Sequence, residues 1–267
     1  MYLLFDIGGT KTRLAASDGY FIDHIEVLET PQNFDEAIPL LGRIAHELSD
    51  EKYTLAVGGL AGALSEDKKG LFDPPNLPGW HGRNFVEGFS SYLNAPVTIE
   101  NDTALVGLGE AVEGAGKGFS IVMYMTISTG VNAVKIHDKR IDENTRGFET
   151  GKQIIDIASG ATLESFISGS SLTTRFQIDP YEIEDRSIWE DVERIAATGV
   201  FNSVLHWSPE VVVLGGGITQ KLSIENINKH FSELVDGVFP SFPKIVRAEL
   251  GDRGGLAGAL QIIRNSK

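Results

Sequence analysis

An aspartate followed by two glycines near the N-terminus is the first group whose pattern suits chemistry. The segment Phe5-Asp6-Ile7-Gly8-Gly9-Thr10-Lys11 lies between two apolar runs. Adjacent glycines allow positive φ angles and a tight turn, and they leave backbone N–H groups open to a phosphate. The Asp6 carboxylate could hold a hydrated Mg²⁺ against that phosphate. The alternative is a plain hairpin turn with a solvated aspartate.

Two further glycine-rich turns follow apolar runs. The first is Ser128-Thr129-Gly130 and the second is Gly215-Gly216-Gly217. Hydroxyl groups beside glycine suit phosphate oxygens, whereas bare backbone suits the flat face of a base or a ribose. Phosphoryl transfer consists mostly of positioning and charge neutralisation, and it needs such turns together with a metal ion. The three turns therefore favour a protein that handles a nucleotide.

The pair Asn101-Asp102 stands where a predicted strand ends and a helix begins. Phosphoryl transfer needs a group that orients or deprotonates the acceptor hydroxyl. Asp102 is the candidate for that group, with Asn101 beside it as a hydrogen-bonding partner for a polyol. The alternative is a helix cap, a role in which Asn and Asp are both common.

Composition limits the classes of partner. The 267 residues favour two domains or lobes, and a net charge of −14 without a dense basic cluster argues against nucleic acid. The absence of cysteine excludes disulfides, thiolate catalysis and cysteine-based zinc sites. No run approaches the ~18 apolar residues of a membrane span. We expect no signal peptide, no membrane partner and a cytoplasmic location.

Hydrophobic patterning places the turns at the ends of strands. The predicted strands are residues 2–7, 12–17, 21–28, 54–58, 97–99, 119–127, 131–136, 211–214 and 245–250. The predicted helices are residues 34–48, 85–93, 103–112, 161–168, 187–206, 223–238 and 254–263. Residues 138–160 read as a polar loop, in which Arg146 is predicted to be solvated rather than to contact a substrate. Both halves contain a strand, a turn of small residues and a returning strand, which indicates a duplicated architecture.

The order of these segments resembles that of the ROK sugar kinases and sugar-responsive repressors, within the actin/hexokinase/Hsp70 superfamily. The matching segments, in chain order, are Asp6-Ile7-Gly8-Gly9-Thr10-Lys11-Thr12, Ala61-Gly62, Asn76-Leu77-Pro78-Gly79-Trp80, Pro96-Val97 with Glu100-Asn101-Asp102, Thr126-Ile127-Ser128-Thr129-Gly130-Val131, Leu163-Glu164 with Ser168-Gly169, Val213-Leu214-Gly215-Gly216-Gly217, and Gly255-Leu256-Ala257-Gly258-Ala259. The resemblance implies an α/β, two-lobed actin-like ATPase (ribonuclease H-like) fold with a cleft between the lobes. It implies a small N-terminal lobe of residues 1–112 plus 254–267 and a large C-terminal lobe of residues 113–253.

The resemblance also implies an ATP-dependent hexose kinase that is similar to glucokinase. Such an enzyme transfers the γ-phosphoryl group to a hexose hydroxyl, the 6-hydroxyl in this family, with ATP and Mg²⁺ as cofactors. The implied base is Asp102, and Asp6 would hold Mg²⁺ through water. The implied ATP-binding residues are Asp6, Gly8, Gly9, Thr10, Lys11, Thr129, Gly130, Gly215, Gly216 and Gly217. The implied sugar-binding residues are Asn76, Asn101, Asp102, Glu149, Lys152 and Glu164.

Two other expectations come with the resemblance. Relatives are commonly homodimers, so a homodimer is a possible assembly. The alternative function is that of a catalytically weak regulatory protein of the same fold, which binds sugar or nucleotide.

One segment departs from the family. Most relatives carry Glu-x-Gly-His followed by a cysteine-rich zinc loop, whereas this chain reads Glu149-Thr150-Gly151-Lys152 and has no Cys or His in residues 153–162. We therefore expect no structural zinc, and packing of this segment around Ile154, Ile155 and Ile157. Lys152 either reaches the 1- or 2-substituent of the sugar, with a preference for an anionic group, or is solvated. Exposed lysine is the commoner state, which favours the second alternative.

Overall fold

The computed structural model describes residues 1–144 and 147–267. Arg146, predicted from the sequence to be solvated, lies outside the described residues. The chain separates into two compact units. The first unit contains Met1–Val112 and Asp252–Lys267, together with Glu143, Asn144 and Gly147. The second unit contains Glu113–Asp142 and Phe148–Gly251.

Strands and helices alternate along much of the chain. The strands are Tyr2–Ile7 (β1), Lys11–Ser17 (β2), Ile22–Glu29 (β3), Leu55–Leu60 (β4), Val97–Asn101 (β5), Ile121–Ile127 (β6), Val131–His137 (β7), Arg140–Ile141 (β8), Ile154–Asp156 (β9), Ala161–Thr162 (β10), Val211–Gly215 (β11) and Lys244–Arg247 (β12). The α-helices are Phe34–Leu48 (α1), Phe85–Leu93 (α2), Asp102–Val112 (α3), Leu163–Ile167 (α4), Gly169–Phe176 (α5), Arg186–Trp207 (α6), Ile224–Val235 (α7) and Gly254–Asn265 (α8).

The first unit is built on a sheet of order β3-β2-β1-β4-β5. The pairs β1–β2 and β2–β3 are antiparallel, whereas β4 pairs parallel with both β1 and β5. Side chains alternate along β1, so Leu3, Phe5 and Ile7 join the apolar cluster that contains residues of α1 and α2. Asp6 points to the opposite face, where Gly255 of α8 lies against it. This alternation places one acidic side chain among helices instead of in the apolar cluster.

Helices α3 and α8 approach closely through small residues. Gly109 faces the backbone of Gly254, and Gly258 faces the backbone of Leu105, so that neither position has room for a Cβ atom. The run of small residues from Gly254 to Ala259 predicts this close packing. The contact places α8 beside the start of α3, where Asp102 is located.

The second unit repeats the pairing of the first. Its sheet has the order β12-β11-β6-β7-β8, with β6–β7 antiparallel and β11 parallel to β6. Buried residues of α6 and α7, such as Trp189 and Phe231, form one apolar cluster with this sheet. The duplicated strand–turn–strand arrangement predicted from the sequence is therefore present.

The predicted bounds of α1 and α2 are confirmed, but several other predictions were wrong. The predicted helix at 161–168 begins as strand β10, and helix α5 was missed. Ser168 separates α4 from α5 because its extended backbone ends one helix while its side chain caps the next. Strand β4 continues to Leu60, because Gly59 and Leu60 pair with β1 and β5. The predicted loop at 138–160 contains β8 and β9.

The expected packing of the segment that follows Lys152 was also wrong in part. Ile155 packs against the apolar cluster, but Ile154 is 59% exposed and Ile157 is 93% exposed. Hydrogen bonds of Gln153 hold the segment instead. Its Nε2 donates to the Thr150 carbonyl at 3.0 Å, and its Oε1 accepts from Asn202 Nδ2 at 2.9 Å. Among the helices that the structure describes, none is long and apolar enough to span a membrane.

Candidate functional site

Asp6 lies in a confined and mostly buried position on β1. A Cβ atom at Gly255 would lie 2.7 Å from the Asp6 Cγ, so only glycine leaves room for this carboxyl group. Burial raises the pKa of Asp6 to about 6, although the positive charge of Arg13 acts in the opposite direction. Arg13 stands opposite Asp6 in the β1–β2 pairing, with Nη1 3.7 Å from Asp6 Oδ2.

Asp252 holds the Arg13 guanidinium in turn. Arg13 Nη2 donates to Asp252 Oδ1 at 2.5 Å, and the side chain of Arg13 is 13% exposed. The buried Nε of Arg13 has no hydrogen-bond partner in the part of the chain that the structure describes. Sequence reasoning missed both Arg13 and Asp252. Only the strand register, which places residue 13 opposite residue 6, could have indicated Arg13, and no sequence pattern indicates Asp252.

Asp102 is the first residue of α3 and lies near Asp6. Desolvation raises its pKa to about 7, and the negative charge of Asp6 is the second cause of the increase. Thr103 N–H donates to Asp102 Oδ1 at 2.7 Å, which orients the carboxyl group. Gly59 pairs with Asp6 in the sheet, and a Cβ atom there would lie 3.1 Å from the Asp102 Cα. A glycine in β4 thus allows the two acidic residues to approach each other.

Asn101 acts as a helix cap and a loop tether. Its Oδ1 accepts from Ala104 N–H at 3.2 Å, and its Nδ2 donates to the Gly62 carbonyl at 3.0 Å. The amide group of Asn101 therefore caps helix α3, as the alternative interpretation predicted. Its amide nitrogen carries a second N–H, so these bonds leave one donor for a ligand.

The turn formed by residues 8–10 differs from the prediction in its backbone. Neither Gly8 nor Gly9 adopts a positive φ angle. Close contact, not conformation, requires glycine at position 9, because a Cβ atom there would lie 2.6 Å from Asn76 Cβ. Gly8 N–H donates to the Lys11 carbonyl at 2.9 Å, and Thr30 Oγ1 donates to the Gly8 carbonyl at 2.7 Å.

The approach of Gly9 to Asn76 places Asn76 against this turn. Thr10, Lys11 and Asn76 are all exposed. Besides Asp102, the first unit contains seven predicted site residues, which are Asp6, Gly8, Gly9, Thr10, Lys11, Asn76 and Asn101.

The turn formed by residues 128–130 rests on the start of α5. Gly169 N–H donates to the Ser128 carbonyl at 2.7 Å, and Ser170 N–H donates to the Thr129 carbonyl at 3.2 Å. Thr129 itself is exposed. The missed helix α5 is thus a direct support of the predicted phosphate-binding turn.

The glycines at 215–217 lie beside the same turn in the second unit. Gly215 pairs with Thr126, and Gly216 has a φ of 91° and lies against Thr126 and Ile127. On its other side, Gly217 faces the Tyr181 hydroxyl group, and Tyr181 is half exposed. The structure therefore brings the second and third glycine-rich turns together at the ends of β6 and β11.

Glu149, Lys152 and Glu164 form a cluster in the second unit. Lys152 Nζ donates to Glu164 Oε1 at 2.5 Å, and Val131 N–H donates to Glu164 Oε2 at 2.9 Å. Desolvation raises the pKa of Glu149, the charge of Lys152 lowers it, and the charge of Glu164 raises it. The prediction favoured a solvated Lys152 that does not contact the sugar. The side chain is indeed 61% exposed, but its ammonium group is paired with Glu164.

Few side chains in the structure are placed to bind a metal ion. Among residues 1–144 and 147–267, no group of three or more His, Asp or Glu side chains is placed to hold a metal ion. Mg²⁺ in phosphoryl-transfer sites needs only one or two carboxylates, because water and substrate phosphates supply the other ligands. The single carboxylate of Asp6 fits that requirement.

The chain matches the model of one protein family over almost its whole length. The model of the ROK family matches residues 2–266. The chain belongs to the ROK family. The N-acetylgalactosamine kinase AgaK of Shewanella sp. (strain ANA-3) is similar to this chain, with 27% identity over 97% of this chain and 95% of AgaK.

Solved structures of ROK proteins have the same fold. A ROK hexokinase from Thermus thermophilus matches with a TM-score of 0.86 and 24% identity over 100% of this chain and 99% of its own. A ROK family glucokinase from Streptomyces griseus, in complex with glucose and AMPPNP, matches with a TM-score of 0.79 and 21% identity over 99% of both chains. The predicted α/β, two-lobed actin-like ATPase fold is therefore confirmed.

Proposed function

We propose that this ROK protein is an ATP-dependent hexose kinase that transfers the γ-phosphoryl group to a sugar hydroxyl, the 6-hydroxyl in our assignment. The observation that carries the proposal is the carboxyl pair of Asp6 and Asp102 beside a glycine-rich turn. Asp102 has a pKa of about 7, which suits a base that must accept a proton at neutral pH. The kinase names of its ROK relatives support the same reaction class.

In this proposal Asp102 accepts the proton of the attacking hydroxyl group. Thr103 N–H holds one carboxyl oxygen, so the carboxyl group is oriented before the sugar binds. Asn76 and Asn101 supply amide groups for other sugar hydroxyls in the first unit. Glu149 and Glu164 supply carboxylate acceptors in the second unit, where the ammonium group of Lys152 is paired with Glu164.

The nucleotide is assigned to all three glycine-rich turns. Residues 8–10, with Lys11 beside them, and residues 129–130 would contact phosphate oxygens, and residues 215–217 would face the adenosine. Asp6 would hold Mg²⁺ through water, and the ion would neutralise charge on the transferring phosphoryl group. The S. griseus glucokinase was solved with a nucleotide analogue, which supports a nucleotide site in this fold.

The names of the relatives refer to different acceptor sugars of one chemical class. They include a kinase for N-acetylgalactosamine and one named for glucose. A pocket distinguishes such sugars by the few contacts that differ between them. We therefore assign hexoses and N-acetylhexosamines as the acceptor class.

The test measures sugar-dependent release of ADP from ATP in the presence of Mg²⁺. The sugars compared are glucose, mannose, fructose, N-acetylhexosamines, uronic acids and a 6-deoxy hexose. We expect turnover with at least one neutral sugar and formation of its 6-phosphate, identified by NMR. Binding of a sugar without turnover would instead support a catalytically weak regulatory protein. Turnover with a 6-deoxy sugar would contradict the assignment of the 6-hydroxyl.

A further inference from the structure

Lys152 connects two parts of the second unit that lie far apart in the sequence. It ends the short 3-10 helix Thr150–Lys152, and its ammonium group bonds to Glu164 of α4 at 2.5 Å. The hydrogen bond to Glu164 is also the largest cause of the raised pKa of Lys152, so the lysine stays charged. The ion pair therefore joins the 3-10 helix to α4.

The same carboxylate reaches the turn formed by residues 128–130. Glu164 Oε2 accepts from Val131 N–H at 2.9 Å. A Cβ atom at Gly130 would lie 2.8 Å from that oxygen, so the carboxylate lies directly against the turn. One oxygen of Glu164 thus faces Lys152 and the other faces the turn.

The backbone around Lys152 is held independently of its side chain. Thr150 N–H donates to Asn132 Oδ1 at 3.1 Å, and Gly151 packs against the Val131 backbone. These contacts fix the backbone position of Lys152, while Glu164 fixes the position of its ammonium group. Because the pair is more than half exposed on the lysine side, it adds little to global stability. Its effect is expected to be local.

We propose that Lys152 is a positioning residue that holds Glu164 against Gly130 and Val131 and thereby sets the geometry of the 128–130 turn. The inference rests on the proposed function insofar as that turn is taken to bind nucleotide phosphates. It predicts that loss of the Lys152 charge weakens nucleotide binding more than sugar binding. A direct sugar contact by Lys152 would produce the opposite pattern.

The experiment compares Lys152→Met, the conservative Lys152→Arg and the control Lys135→Met in the full-length chain. Lys135 is a suitable control because it also forms an ion pair in this unit, with Asp142 at 3.2 Å. Amide hydrogen exchange of residues 128–133 is measured without ligand, and AMPPNP affinity is measured by calorimetry. Steady-state KM values for ATP and for the sugar are then compared.

For Lys152→Met we expect faster exchange at Val131 and an AMPPNP Kd and ATP KM about two- to fivefold higher, as for loss of an exposed ion pair. The sugar KM should also rise, because Glu164 is itself assigned to the sugar, but by a smaller factor than the ATP KM. Lys152→Arg should largely keep the wild-type exchange rate and nucleotide affinity. Lys135→Met should change neither the exchange rate nor the nucleotide affinity. Unchanged exchange at Val131, or a change confined to the sugar KM, would overturn the proposal.

The exchange measurement separates this proposal from the kinase assignment. If the wild-type protein turns over no sugar, the proposed function fails. The response of Val131 to Lys152→Met would still decide whether Lys152 positions the turn. A normal exchange rate would then reject the positioning role.

Discussion

Arg13 faces Asp6 across the β1–β2 pairing, with Nη1 3.7 Å from Asp6 Oδ2. Asp252, in the 3-10 helix Gly251–Arg253 that precedes α8, bonds to the same guanidinium. Two acidic residues from opposite ends of the chain therefore share one largely buried cation. The positive charge of Arg13 lowers the pKa of Asp6, which would be higher without it.

Removal of the Arg13 charge should destabilise the protein in a pH-dependent way. At pH 8 Asp6 is ionised, so Arg13→Leu leaves a buried carboxylate without its cation and should cost about 2–3 kcal/mol. At pH 5, below the Asp6 pKa of about 6, the carboxyl group is protonated and the cost should be smaller. Urea unfolding at both pH values measures the difference. Arg43→Leu, at an exposed position of α1, is the control and should change stability by less than about 0.5 kcal/mol.

Asp102→Asn should abolish turnover while sugar binding remains. The amide keeps the shape of the side chain but cannot accept the proton, so kcat should fall by about 10²- to 10⁴-fold. Sugar affinity by calorimetry should stay within about threefold, since most sugar contacts remain. The exposed Asp73→Asn serves as the control. A variant with near wild-type turnover would show that Asp102 is not the base.

Asp102→Asn should also change how the stability of the protein depends on pH. Folding raises the pKa of Asp102 from 3.8 to about 7, so its stabilising contribution is complete below pH 3.8 and is lost as the pH rises through 7. Asp102→Asn removes that loss. The variant should therefore gain at least about 1 kcal/mol relative to wild type between pH 5 and pH 8. Thermal unfolding at both pH values would detect it, and equal shifts at both would contradict a raised pKa.

The rate of the wild-type enzyme should follow the ionisation of Asp102. If the ionised carboxylate is the base, kcat/KM should rise about tenfold per pH unit below pH 7 and level off above it. The pKa of about 7 determines the position of the bend. A profile that is flat from pH 5.5 to pH 8 would contradict this role.

Gly255 should be intolerant of even a methyl group. A Cβ atom there would lie 2.7 Å from Asp6 Cγ, so Gly255→Ala must displace the carboxyl group. We expect kcat to fall by about tenfold or more, because small displacements of catalytic groups have large effects on rate. Gly88→Ala is the matched helical control, since its Cβ would meet only ordinary contacts at 3.6 Å or more. That control should keep full activity and gain up to about 1 kcal/mol of stability.

Sequence patterns predicted most of the fold but less of the site. Helices α1 and α2 were predictable because apolar residues recur with helical spacing along them. Helix α5 was not, because it is short and polar and its start depends on the Ser168 cap. The partner of Lys152 was also not predictable, because Glu164 lies twelve residues further along and meets it only after α4 has packed.

The sequence by itself determined the strand–turn–strand units, the glycine-rich turns and the acidic residues at their ends, because these depend on neighbours along the chain. Tertiary structure alone decided which of these residues meet. It placed Arg13 against Asp6, Asn76 against Gly9 and Glu164 against Gly130. The physical reason is that strand register and helix packing bring together residues distant in the sequence. Burial, which follows from that packing, raises the pKa of Asp102 to about 7.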